Sequence, residues 1–142
     1  MMRMMAGGTT LIAAVLLHEA VQAETKQECT LCYERTGAPL GLEPPELLIS
    51  GCTAVIQSGD RSGHELAMAF TVRGLSYRKT FLFEFAFEDF NKAINVDPAY
   101  APAFRHRSNM YLERSEIERA RQDFDQAARL ERREAELGEE EL

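Results

Sequence analysis

The chain has 142 residues, 27% of them charged and 45% hydrophobic, with a formal net charge of -7. That length suits one domain of ordinary size, and the balance is that of a globular protein. The acidity argues against broad electrostatic attraction to nucleic acid or to an anionic membrane.

Residues 1–23 read as a secretory signal peptide. Arg3 supplies a short positive region, and Leu11 to Leu17 form an apolar run too short to span a bilayer. Val21 and Ala23 set modest and small side chains just ahead of a cut before Glu24. The mature chain is then expected in the periplasm or the secreted medium, with no membrane attachment after cleavage.

Residues 24–45 form a cysteine-bearing segment and a turn-rich linker, Gly37 to Pro45. The Cys29-Thr-Leu-Cys32 spacing fits a redox motif or half a zinc site. A thioredoxin-type site needs a strand leading into a helix that opens at the first cysteine, and no strand pattern precedes Cys29. A zinc site needs further ligands; Cys52 and His64 are available, but no second paired cluster exists. In an oxidising compartment a structural disulfide is the favoured reading, and three cysteines leave one over.

Residues 46–66 carry one predicted helix and the start of the next. Leu48, Cys52, Val55 and Ile56 fall on one helical stripe, and Gly59 ends it. Ser62 followed by Glu65 is a capping box that opens the following helix.

From Ala67 to Arg132 the same unit occurs twice, shifted by 34 residues with ten identities. Ala67, Ala69, Phe70, Arg73 and Tyr77 meet Ala101, Ala103, Phe104, Arg107 and Tyr111. Glu84, Ala86, Asp89, Phe90 and Ala93 meet Glu118, Ala120, Asp123, Phe124 and Ala127. Each copy reads as two helices, with apolar residues spaced three and four apart. Gly74, Ala86 and Ala93 let the paired helices approach, and the aromatics fill the gaps. Asp97-Pro98 breaks the chain between copies. Ser115 with Glu118 predicts a capping box for the last helix.

Phe70, Gly74, Tyr77, Ala86, Phe90, Ala93 and Pro98 resemble the signature of the tetratricopeptide repeat (TPR). The second copy departs at Ser108 and Arg132, where the family has Gly and Pro. The segment Gly51 to Gly59, with the early cysteines, is similar to small exported bacterial members of the family. The resemblance implies an all-α short solenoid: two TPR helix pairs, residues 67–100 and 101–134, preceded by a degenerate upstream half-repeat. Residues 135–142 are an acidic tail. At the same period Cys52 takes the place of Ala86 and faces the core. A bond from Cys52 to Cys32, with Cys29 as second choice, is therefore expected.

The family implies a protein–protein interaction module without catalysis and without a cofactor or metal, its partner a protein or peptide. Its inward-facing offsets fall on Met68, Thr71, Leu75 and Arg78 in the first copy and on Arg105, Asn109 and Leu112 in the second. Arg105 and Asn109 match two positions that in some TPR proteins grip a peptide's C-terminal carboxylate, for which a guanidinium and an amide are suitable donors. Ordinary solvated groove residues are the competing reading. The alternative function is thiol–disulfide redox chemistry at Cys29 and Cys32. No hydrolase or phosphate-loop motif is present, and His64 and His106 are expected at the surface.

One stretch defies the repeat. The turn after Thr80 is Phe81-Leu82-Phe83, followed by Phe85 and Phe87, where the second copy has Ser115-Glu116-Ile117, Arg119 and Arg121. Phe81 stands where a Gly is expected, which would alter the turn. Phe81, Phe85 and Phe87 are expected either to lie under the cysteine segment or to form an apolar patch that binds a partner or a second copy of the chain.

Overall fold

The structure is a computed structural model and describes residues 44–59 and 61–140. The segment read as a signal peptide, Cys29, Cys32 and most of the linker lie outside the described residues. Five helices follow in order: α1 (Pro45–Ser58), α2 (Gly63–Lys79), α3 (Phe83–Val96), α4 (Ala101–Glu113) and α5 (Ile117–Glu140). α1 packs on α2, α2 on α3, α3 on α4 and α4 on α5, so the array grows in one direction. It is an all-α solenoid of helix pairs.

Local chemistry sets most boundaries. Pro45 opens α1, where a missing N–H costs nothing, and Gly59 closes it in the left-handed conformation at φ 70°. At α2 the expected capping box forms. Ser62 Oγ accepts the Glu65 N–H, and the Glu65 carboxylate accepts the Ser62 N–H at 3.0 Å. α3 stops at Asp97, whose carboxylate accepts the Ala99 N–H at 3.0 Å.

The capping box expected at Ser115 does not form. Ser115 sits at φ 60°, its N–H bonded to the Leu112 carbonyl, and α5 begins at Ile117. An N-cap needs extended backbone, so a left-handed residue cannot serve as one. Phe81, at the matched position, has φ 62°. The turn is thus conserved between the copies instead of altered by the Phe, at a steric cost of about 1 kcal/mol.

Two packed clusters fill the interior. The first joins α1, α2, the end of α3 and the start of α4 through Leu48, Cys52, Val55, Phe70, Ala93 and Ala103. Cys52 is fully buried, as expected of a core-facing position. The second cluster holds Leu75, Ala86, Phe90 and Met110. Gly74 permits it: a Cβ there would lie 2.8 Å from Phe90 Cε1 and 3.2 Å from the Ala86 carbonyl oxygen. In the second copy Ser108 takes the glycine's place and donates to the Ala120 carbonyl at 2.7 Å. The departure from the repeat is therefore a hydroxyl bonded to the carbonyl that matches Ala86.

A polar layer repeats with the period. Arg73 grips Asp89 through Nε at 2.7 Å and Nη2 at 2.9 Å, and donates from Nη1 to Thr53 Oγ1 at 3.0 Å. Arg107 grips Asp123 at 2.7 and 2.8 Å, and donates to Asn91 Oδ1 at 2.7 Å. Aromatic rings flank each guanidinium: Phe70 and Tyr77 around Arg73, Phe104 and Tyr111 around Arg107. Each arginine thus ties its own helix pair to the helix before it.

Candidate peptide groove and apolar turn

The groove positions divide by copy. Met68, Thr71 and Leu75 are buried in α2, and Thr71, 1% exposed, spends its hydroxyl on the Ala67 carbonyl at 2.9 Å. These three offer no surface to a ligand. Arg78, Arg105, Asn109 and Leu112 remain accessible. Arg105 and Asn109 lie one turn apart on α4, as a pair of donors should.

Both cations already hold carboxylates from this chain. Arg105 donates from Nε to Glu131 at 3.1 Å, and its Nη2 reaches both Glu131 oxygens. Arg78 donates from Nε to Glu113 at 3.0 Å. All four side chains are about four-tenths exposed. Such pairs are worth about 1 kcal/mol or less, so a ligand carboxylate can exchange with them at small cost.

His106 departs from its expected surface position. It is largely buried and stacks on Phe90, with ring centroids 5.9 Å apart and planes 25° apart. Burial, with Arg78 and Arg105 nearby, pushes its pKa down to about 4. The unfolded chain takes this proton near pH 6.5, the folded chain only near pH 4. The stability this contributes is therefore present above about pH 6.5 and is lost as the pH falls towards 4, by about 1–3 kcal/mol. Thermal melts at pH 7 and pH 4.5 check it. His106→Phe keeps a ring on Phe90 and should lose less stability on acidification than the native chain; equal losses would refute the assignment. His64 is exposed as expected, but its Nδ1 lies 3.0 Å from Asp97 Oδ2, a carboxylate 33 residues away that no local pattern places beside it.

At the apolar turn the set of exposed residues is not the one expected. Phe81 is 79% exposed and Phe85 55%, with Leu82 and Phe83 exposed beside them. The Phe81 and Phe83 rings meet edge to face at 6.0 Å, and Phe85 rests on Tyr77 at 5.5 Å. Phe87 does not belong to this surface. It is partly buried against Tyr111 at 5.1 Å, and the Arg114 guanidinium covers its ring at 4.8 Å. Arg114 is held there by Glu84 at 2.6 Å. Its cover is neither of the two expected for it, the cysteine segment or a partner, but α4, which lies over the first-copy position and not over Arg121.

Among the described residues no group of three or more metal-ligating side chains comes together, and no helix is long and apolar enough to cross a membrane. Neither a known protein family nor a curated protein matches the chain. Solved structures do match its fold. The crystal structure of MamA is 21% identical with a TM-score of 0.56, over 65% of this chain and 52% of MamA. The chain thus spans about half the length of MamA. The second TPR domain of Spaghetti (RPAP3), bound to the HSP90 peptide SRMEEVD, is 23% identical with a TM-score of 0.55, over 78% of this chain and 98% of that domain. Both likenesses place the fold among tetratricopeptide-repeat arrays.

Proposed function

We propose that this tetratricopeptide-repeat array is a non-catalytic interaction module, exported to the periplasm or the medium, that takes the acidic C-terminus of a protein or peptide partner at Arg105 and Asn109. The observation that carries the reading is the accessible donor pair on α4, whose guanidinium already binds a carboxylate in the two-oxygen manner that a chain terminus would offer. The RPAP3 domain, solved with the peptide SRMEEVD and its C-terminal Asp, supports the choice of ligand class. Export rests on the signal-like segment and on cysteine usage. Cys52 is fully buried, the position a structural disulfide would take, and such a bond suits an oxidising compartment. Pairing with Cys32 remains the expected connection, read by non-reducing peptide mapping; a Cys29–Cys32 bond would refute it and favour the redox alternative.

The binding test is a calorimetric titration of the mature chain with SRMEEVD as probe and with its C-terminal amide. Saturable binding that falls about tenfold or more on amidation and in Arg105→Ala is expected. Binding of both peptides alike, or binding indifferent to Arg105→Ala, would overturn the reading. The exposed Phe81–Phe85 turn is a second surface on which a protein partner or another copy could rest.

A further inference from the structure

One flank of α5, beside the face that packs on α4, carries a repeating seam. Ile117, Arg121, Phe124, Ala128, Glu131 and Ala135 follow at alternating spacings of four and three. That is the 3.5-residue period of a coiled-coil seam, which keeps one stripe facing a second helix. Among the described helices α5 packs on α4 alone, and the seam lies beside that contact. Ile117 and Phe124 are more than half exposed, and Arg121, Glu131 and Ala135 are exposed with them. In the first copy Phe90, the counterpart of Phe124, lies against His106 of α4 and is fully buried.

The seam is complementary to itself when reversed. Its members lie in pairs equidistant from Gln126: Ile117 with Ala135, Arg121 with Glu131, and Phe124 with Ala128. We propose that α5 docks on α5 of a second copy of this chain, antiparallel, about a two-fold axis that crosses between the helices at the level of Gln126. Ile117 then packs on the partner's Ala135, Phe124 on the partner's Ala128, and Arg121 faces the partner's Glu131. Each large residue meets a small one and each charge meets its opposite, which is what an isologous contact requires. A parallel pairing would set Arg121 against the partner's Arg121 and Glu131 against the partner's Glu131, so charge selects the antiparallel arrangement. In the single chain Arg121 bonds Glu118 at 2.8 Å and Glu131 bonds Arg105. Docking inserts Glu131 between Arg105 and the partner's Arg121, an alternating row of charge. The apolar content is modest, so the dimer is of the weak, reversible class, with a dissociation constant on the order of 10–100 µM.

The test is sedimentation equilibrium of the mature chain across that concentration range, with circular dichroism to confirm folding of each variant. The native chain should dimerise. Arg121→Glu and Glu131→Arg should each weaken the dimer about tenfold or more, because each juxtaposes like charges across the axis. An equimolar mixture of the two variants, and the chain carrying both changes, should recover to within about threefold of native. A native chain that stays monomeric overturns the proposal. So does a double variant that fails to recover, which would refute the antiparallel register. A dimer lost in Phe85→Arg and untouched by Arg121→Glu would also overturn it, placing the contact at the apolar turn.

Discussion

Asp89→Ala should cost the fold about 3–5 kcal/mol, among the largest losses of any single substitution in the described chain. Asp89 is 2% exposed, and both its oxygens are bonded to Arg73. Removing the carboxylate leaves a largely buried guanidinium with Thr53 as its remaining bonded neighbour and two aromatic faces at its sides. The penalty is that of stranding the charge, which exceeds the net worth of the pair. Replacing both members, with Arg73→Met and Asp89→Leu, should therefore recover much of the loss. Denaturant unfolding of the mature chain measures all three. A double variant as unstable as Asp89→Ala would show that the layer does more than neutralise its own charges.

Phe90→Ala should cost about 3–5 kcal/mol, and Phe124→Ala less than about 1 kcal/mol. The two residues are the same type at the same offset, yet Phe90 is fully buried and Phe124 is 52% exposed. Phe90 lies over Gly74, with Met110 beside it and His106 stacked on it. Truncation opens a cavity beside a glycine, which has no side chain to move into it. Phe124 has solvent on one side and the Arg105 guanidinium 5.8 Å from its ring. Unfolding should be followed at low micromolar concentration, so that association through α5 does not enter the comparison. Equal losses would mean that Phe124 is covered in solution.

The period, the helix pairs and the small contact residues were legible in the sequence because they obey local rules. Gly74 and Ala86 are small where two helices touch, and Ser62 with Glu65 is a signal contained in four consecutive residues. The misses share a different cause. Ser115 with Glu118 has the letters of a capping box, but the turn requires a left-handed residue there, and the backbone requirement wins. The match of Phe87 to Arg121 does not transfer exposure, because identical offsets in a stack do not have identical neighbours. α4 lies over the first position and no described helix over the second. The burial of Met68, Thr71 and Leu75 and the stacking of His106 are likewise properties of the assembled array, which a helical wheel does not contain. The Arg73–Asp89 and Arg107–Asp123 pairs could have been found. Both residues recur in register, and an unlike-charge pair repeated at one spacing across two helices is a contact signal.

The repeated arginines also bear on how the array comes apart. In a solenoid, each unit is stabilised by its own packing and by the unit beside it. Arg73 and Arg107 contribute to both terms with one group, since the same guanidinium closes its own helix pair and reaches back to Thr53 or Asn91. Loss of one unit leaves a buried donor of the next without its acceptor, so damage at one junction propagates to its neighbour. With two such junctions in series, the stretch from α1 to the first half of α5 should unfold as a single cooperative block. The last turns of α5, beyond Glu131, carry no counterpart of this link among the described contacts, and protection from hydrogen exchange should fall away there.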